Sequence, residues 1–238
     1  MISRGNGEAV YLQVRRKLES EIRSKFKPSD GLPSETVLAE RFGVNRHTLR
    51  RAIDGLVADG WVERRHGVGS FVLGEPINYK IGQRTRFTEN LAALGKKTES
   101  LVIRKIHIDA EGGIAKQLQL QAGETVIWIE TLRFVDELPF CVISHYLPAN
   151  LVPGLLHDYQ GGSLHEFIDQ NYGLRLTRSD NFISASLPQG DDAHYLCMPA
   201  TAPVLRVKSV NLIEDSNTPL EYTITRFRAE NMQLGIRL

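Results

Sequence analysis

Hydrophobic positions along the chain change period several times, most sharply between Pro33 and Gly69. Leu49, Ala52, Ile53, Leu56 and Val57 recur at the i, i+3, i+4, i+7, i+8 spacing of one helix face, while Arg46, His47, Arg50 and Arg51 fall off it. Asn45 stands where an N-cap satisfies the first free amides, and Gly60 follows the last periodic residue, where helices commonly stop. Upstream, Ser34 to Phe42 reads as a shorter helix with Val37, Leu38 and Phe42 inward, separated from the next by Gly43-Val44 alone. Helices joined that tightly cross steeply, as in a helix-turn-helix. After Gly60, Trp61 to Leu73 holds two apolar-containing runs around a basic, glycine-containing tip, which predicts a β-hairpin wing.

The rest of the chain alternates between the two periods. Tyr11, Val14, Leu18 and Ile22 mark one face of a first helix, after small polar residues 1–7 that predict no fixed structure. Around Pro76 the composition turns polar, which predicts a linker over 75–82 between a domain at 1–74 and a second at 83–238. In the second domain the pattern predicts helices over Phe87 to Leu94, Glu111 to Leu120, Ser163 to Tyr172 and Asp191 to Cys197. Strands are predicted over Leu101 to Ile108, Val126 to Val135, Pro139 to Leu147, Leu174 to Leu187, Pro203 to Ile213 and Leu220 to Phe227. Turns at Asp136-Glu137-Leu138 and Glu214 to Asn217 make hairpins, so the sheet is expected to be largely antiparallel with helices packed on it, the α+β class.

Composition alters this picture little: 238 residues, 42% hydrophobic and 24% charged, describe an ordinary globular protein of one or two domains. No run of 18 apolar residues and no signal-peptide core is present, so the expected place is the cytoplasm, with no membrane partner. Cys141 and Cys197 lie in apolar segments, which suits a reducing compartment and predicts buried thiols. Charge changes the picture more. The net value of +1 conceals 13 Lys+Arg against 9 Asp+Glu in residues 1–74 and 16 against 19 in the remainder. A cationic first domain is compatible with nucleic acid, and the N-terminal turn of the second helix of the helix-turn-helix, with Arg46, His47, Thr48 and Arg50, is the part that would enter a major groove. Taken alone, Arg50 and Arg51 could equally be a solvated face; the basic wing that follows favours DNA.

Leu32-Pro33-Ser34-Glu35, Leu38-Ala39, Phe42-Gly43-Val44, Thr48-Leu49-Arg50, Ala52-Ile53, Leu56, Gly60-Trp61 and Gly67-Val68-Gly69 together resemble the winged helix of the GntR family of bacterial transcription regulators. The resemblance implies DNA contacts from Ser34, Glu35, Thr36, Arg46, His47, Thr48, Arg50, Arg51, Arg65, His66, Gly67 and Gly69. It also implies a homodimer on a palindromic operator, since each recognition helix reads one half-site. From Arg86 to about Phe227 the chain resembles the effector-binding domain of the HutC branch, whose fold is similar to chorismate lyase; the carriers are Arg86-Phe87-Thr88-Glu89, Arg133 with Leu138-Pro139, Gly162-Ser163-Leu164, Arg178 and Leu220-Glu221-Tyr222. Within that branch, Asn45 to Asp54 and Gly162 to His165 look most like regulators of phosphonate-utilisation genes.

The residues themselves suggest where a ligand sits. Gly161-Gly162-Ser163 opens a helix whose free amides and Ser163 hydroxyl form an anion site, and a similar helix start follows Arg86-Phe87-Thr88. Arg133 and Arg178 on strands supply charge, and arginine grips phosphate bidentately. The family's phosphorylated-sugar regulators place phosphate against positions matching Phe87, Thr88, Arg133, Ser163 and His165, and polar substrate groups near that of Glu221. The implied effector set is Arg86, Phe87, Thr88, Arg133, Ser144, Ser163, His165, Arg178, Glu221 and Tyr222, and the implied effector is a small anion bearing phosphate or phosphonate. Thr131 and Phe227 replace an arginine and a tyrosine of the sugar-phosphate regulators, which suggests a smaller polar half. Each residue also has an ordinary use: Ser163 as a plain N-cap, Arg133 in a surface ion pair, Glu221 as a solvated strand residue. No nucleophile–base pair, metal cluster or cofactor motif stands at useful spacing, so no catalytic residue, metal or cofactor is assigned. The rivals are a lyase-like enzyme carrying a DNA-binding domain, a HutC-type regulator of amino-acid or sugar-phosphate catabolism, and a DNA-binding protein whose second domain only dimerises.

Overall fold

The computed structural model describes residues 8–28, 30–65, 68–73, 77–80, 91 and 94–235, without the side chains of residues 65 and 78–80. The chain divides into two units, Met1–Pro76 and Ile77–Leu238. In the first, α1 (Val10–Lys25) buries Val14, Leu18 and Ile22 against Leu38 and Ala39 of α2 (Glu35–Phe42) and Leu49, Ala52, Ile53 and Leu56 of α3 (Arg46–Ala58). The Ser34 hydroxyl accepts from the Val37 N–H and the Asn45 side chain from the Thr48 N–H at 2.7 Å, so both helices of the helix-turn-helix start on side-chain caps. Gly43 closes α2 in the left-handed conformation. Antiparallel β1 (Val62–Arg65) and β2 (Gly69–Val72) form the wing and add Val62 and Val72 to the same core.

Two side chains depart from the expected inward face: Val37 is 52% and Val57 37% exposed. Each immediately precedes or follows a fully buried leucine, Leu38 or Leu56, and a helix turns about 100° per residue, so the neighbour leaves the narrow stripe that faces the core.

The second unit is built on an antiparallel sheet with strand order β4-β5-β6-β9-β8-β7. Its strands are β4 (Thr98–Asp109), β5 (Thr125–Val135), β6 (Leu138–Pro148), β7 (Leu176–Ser186), β8 (Val204–Ile213) and β9 (Pro219–Arg228). Asp136 and Glu137 both take positive φ in the two-residue β5–β6 turn, whose twist matches that of the strands. Four helices are described: α4 (Gly112–Leu118), α5 (Leu155–Asp158), α6 (Leu164–Tyr172) and α7 (Asp192–Tyr195). On one face of the sheet Leu155 of α5 and Leu164 and Ile168 of α6 pack with Ile127, Ile129 and Leu147. On the other, Leu118 of α4 packs with Val126, Tyr146 and Tyr222. These are called below the α6 face and the α4 face.

The α+β class and the antiparallel sheet are as expected, with differences at the margins. Ile77–Lys80, read as linker, forms β3, paired in parallel with β10 (Met232–Gly235). The short α5 was not expected. Of the anticipated helix from Phe87 to Leu94, only residues 91 and 94 are described, and residues 1–7 also lie outside the described residues.

Candidate DNA-binding face and effector site

At the start of α3, Arg46, His47 and Arg50 are exposed and Thr48 is half-buried. Ser34 and Thr36 are exposed at the start of α2. Arg51 departs from this group, because its guanidinium lies 4.0 Å over the Tyr11 ring of α1. A residue not in the expected set organises the rest. Arg64 of β1 pairs with Asp54 of α3, lies 3.4 Å from Glu35 of α2, and donates to the Arg50 carbonyl at 3.4 Å. It joins the wing to both helices, and Glu35 thereby acts on Arg64. His66, Gly67 and the Arg65 side chain lie outside the described residues. Gly69 opens β2 at φ 138°, a conformation closed to most side chains.

The effector candidates are sorted by strand alternation. Successive side chains in a strand point to opposite faces, and the registers Thr131↔Ile143, Arg133↔Cys141, His145↔Thr223 and Asn211↔Glu221 bring Thr131, Arg133, His145, Asn211 and Glu221 to the α6 face. Glu221 is fully buried there and accepts hydrogen bonds from His145 Nδ1 and His165 Nε2, both at 2.6 Å, and from Asn211 Nδ2. Burial opposes its charge. The attraction of His165 and the hydrogen bonds from His145 and His165 nevertheless hold its carboxyl well below the usual range. Burial pushes the His145 imidazole below its ordinary value, against the pull of Glu221. With the His145 Nδ1–H donating to Glu221, Nε2 accepts from the Thr131 hydroxyl at 3.3 Å. Arg178 of β7 reaches this group through Asn211, Nε to Oδ1 at 3.5 Å.

Beside this cluster Arg133 is only 6% exposed, and among the described residues no carboxylate is ion-paired with it. Its Nη1 donates to the Gly162 carbonyl at 2.8 Å, while Nε is buried without a partner. The same carbonyl accepts from the Tyr159 hydroxyl at 2.9 Å. Gly161 and Gly162, at φ 142° and 84°, take conformations that L side chains rarely adopt, which lets the loop turn this carbonyl toward Arg133 just before α6 begins. Ser163 caps α6 by accepting from the Glu166 N–H, leaving the first amides of the helix unused by its own ladder.

Two expected effector residues lie on the other face. Ser144 donates to Glu130 at 2.7 Å and accepts from Arg226 at 2.8 Å, and Tyr222 stacks with Tyr146 at 6.0 Å. Each is adjacent in sequence to a residue of the α6 cluster, His145 or Glu221, and a step of one along a strand reverses the face. Arg86, Phe87 and Thr88 lie outside the described residues. His145 and Asn211 were missed; a lone histidine in the apolar run Phe140 to Leu147 reads as core unless its alternation is counted against Glu221. The buried-thiol expectation holds for Cys141, whose pKa burial pushes up, but Cys197 is exposed. It takes φ 50° in the turn after α7, which points it outward while Leu196 and Met198 stay buried.

Comparison with known proteins gives the lineage. Residues 10–72 match the bacterial regulatory proteins of the gntR family and residues 93–233 match the UTRA domain. The chain is 39% identical over 223 residues to the probable transcriptional regulator PhnF of Escherichia coli K12, covering 94% of this chain and 92% of that one. It is 29% identical to the mannosyl-D-glycerate transport/metabolism system repressor MngR of the same organism, covering 95% of each. The crystal structure of PhnF from Mycobacterium smegmatis is similar at TM-score 0.65 and 26% identity, over 94% of this chain and 98% of that one. These relatives are transcription regulators, not enzymes, which removes the lyase reading. The chain belongs to the GntR family of bacterial transcription regulators, as a ligand-responsive member that carries a DNA-binding winged helix followed by an effector-binding UTRA domain.

Proposed function

We propose that the protein is a cytoplasmic repressor of a phosphonate- or organophosphate-utilisation operon, binding a palindromic operator as a homodimer and answering to a small anion with a phosphonate or phosphate group. The DNA-binding part is assigned to 1–74 and the effector part to 83–238, with Ile77–Lys80 tied to the latter by its pairing with β10. The observation that carries the ligand reading is Arg133: a buried cation with no paired carboxylate among the described residues, beside the unused amides of α6. An uncompensated buried charge costs several kcal/mol, a burden that an anionic ligand relieves. Arg133, Ser163 and His165 are assigned to the anion and Arg178 to its far end. Glu221 is assigned to orienting His165, because it is fully buried and both its oxygens already accept from His145, His165 and Asn211. The relation to PhnF and the resemblance of Gly162 to His165 to regulators of phosphonate-utilisation genes favour phosphonate.

The test is calorimetric titration of wild type and Arg133→Met with methylphosphonate, 2-aminoethylphosphonate and inorganic phosphate, alongside operator binding. A ligand alters DNA affinity only if it binds the two states unequally, and typical coupling is about 5- to 150-fold. Wild type should respond within that range and Arg133→Met should not, with its unliganded operator affinity retained. A wild type that responds only to uncharged or cationic compounds, or an Arg133→Met that responds equally, overturns the reading.

A further inference from the structure

The α6 face holds a buried tyrosine that the expected effector set does not include. Tyr159, at the C-cap of α5, is fully buried, with its ring edge-on to that of Phe167 in α6 at 5.5 Å and 75°. Its backbone carbonyl accepts from Lys105 Nζ of β4 at 2.8 Å. Its hydroxyl donates to the Gly162 carbonyl at 2.9 Å, and burial pushes the phenol above its ordinary value, so the proton stays on the donor. Tyr159 thus ties β4, the glycine loop and α6 together. The apolar cluster around it, with Leu155, Leu164 and Ile168, needs only the ring; the hydroxyl serves the Gly162 carbonyl.

That carbonyl is the one that Arg133 Nη1 grips from β5 at 2.8 Å. A carbonyl oxygen has two lone pairs, and here Tyr159 fills one and Arg133 the other. The direction of the carbonyl, and with it that of the guanidinium, is fixed from two sides. Gly161 and Gly162 bring no side chain of their own to fix it. A Cβ at Gly161 would lie 3.6 Å from the Ser100 carbonyl, and Ser100 is the register partner of Arg133, so the loop lies over the strand pair that carries the arginine. An arginine grips phosphate through a planar fork, so its direction matters as well as its charge.

We infer that Tyr159 is a positioning residue of the anion site: through the Gly162 carbonyl it aims the Arg133 guanidinium, and being fully buried it does so without touching the ligand. This role rests on the assignment of Arg133 to a phosphonate or phosphate group, and adds to it the residue that sets the direction of the fork.

The test is calorimetric titration of full-length wild type, Tyr159→Phe, Arg133→Lys and the double variant with methylphosphonate, 2-aminoethylphosphonate and inorganic phosphate. Tyr159→Phe keeps the ring and removes the hydroxyl alone. It should weaken the anion that wild type binds by about fivefold, the worth of a neutral hydrogen bond, while the unliganded protein keeps its operator affinity. Lysine keeps the charge at position 133 as a point, with no fork to aim. Arg133→Lys should therefore bind more weakly than wild type, and adding Tyr159→Phe to it should change nothing further. A tyrosine that merely held the loop folded would cost the same in both backgrounds. Tyr159→Phe binding as tightly as wild type, or an equal loss with and without Arg133→Lys, overturns this inference and leaves the anion reading standing. A wild type that binds none of the three anions overturns both. If Tyr159→Phe melts early, Lys105→Met takes its place in the same cycle. Its lost charge acts in both backgrounds and its hold on Tyr159 only where Arg133 is present, so an equal loss overturns the inference.

Discussion

Glu221 shows how far a single residue can be read from sequence. Its acidic character and its strand are visible, and so is its company with Arg133, Ser163 and His165 once a resemblance is admitted; its saturation by His145, His165 and Asn211 is not, because those donors come from three other elements. Ser144 and Tyr222 were misplaced for a related reason, since composition does not carry the parity that separates Ser144 from His145. The cluster has a measurable pH signature. His145 is depressed when folded, so between that value and the unfolded one of about 6.5 the unfolded chain holds more protons, and stability falls as pH drops through this window. The depressed Glu221 carboxyl adds a further loss as pH falls below its unfolded value of about 4.3. Thermal melts of the wild type should therefore be level above about pH 7 and decline toward about pH 5.5, and His145→Gln should flatten that decline. An identical slope in the variant would assign the decline to other groups.

At the scale of elements, the helices were legible because their 3.6-residue period is local, and α1, α2 and α3 bury nearly the faces expected of them. β3 was not expected, since its partner β10 lies at the far end of the chain and the alternation of Ile77, Asn78, Tyr79 and Lys80 is short and follows directly on Pro76. Arg64, expected with Arg65 near DNA phosphates beside the wing tip, pairs instead with Asp54 and lies 3.4 Å from Glu35, a strut that fixes the wing against the recognition helix. On the helix, Arg46, His47 and Arg50 are exposed and are the side chains proposed for groove contact. Arg46→Ala and Arg50→Ala should each weaken operator binding by about 1–3 kcal/mol where they reach base edges, and by less where they meet phosphate only. Affinities on operator and random duplex at one salt concentration separate the two cases, and unchanged operator affinity in both variants removes the helix from the interface. A Cβ at Gly69 meets no neighbour within 4 Å, so the main penalty of Gly69→Val lies in the backbone, about 1–3 kcal/mol for a strained φ. It should lower DNA affinity in a chain that still folds; normal binding would show that the wing does not depend on that glycine.

At the scale of the molecule, a palindromic operator presents two half-sites, and one winged helix reads only one of them. The dimer proposed above therefore needs a second copy, and the sheet offers a place for it. Its edges are β4 and β7. Edge strands escape self-pairing chiefly by carrying charge, and β4 does so with Glu99, Arg104, Lys105, His107 and Asp109. The stretch Asn181 to Ser186 of β7 carries none and exposes Phe182 by 62% and Ile183 by 38%. An antiparallel pairing of β7 with β7 of a second copy satisfies both free edges about one two-fold axis, as a closed symmetric dimer demands. Light scattering of the wild type should thus give twice the chain mass of 26.7 kDa. Replacing both Phe182→Lys and Ile183→Lys sets like charges opposite one another across that axis and should yield a monomer. Operator affinity should then fall by about 100-fold or more, because the second half-site contact ceases to be intramolecular. A double variant that remains dimeric would move the interface away from β7. One that becomes monomeric yet binds operator as tightly as wild type would remove the need for two copies on the DNA.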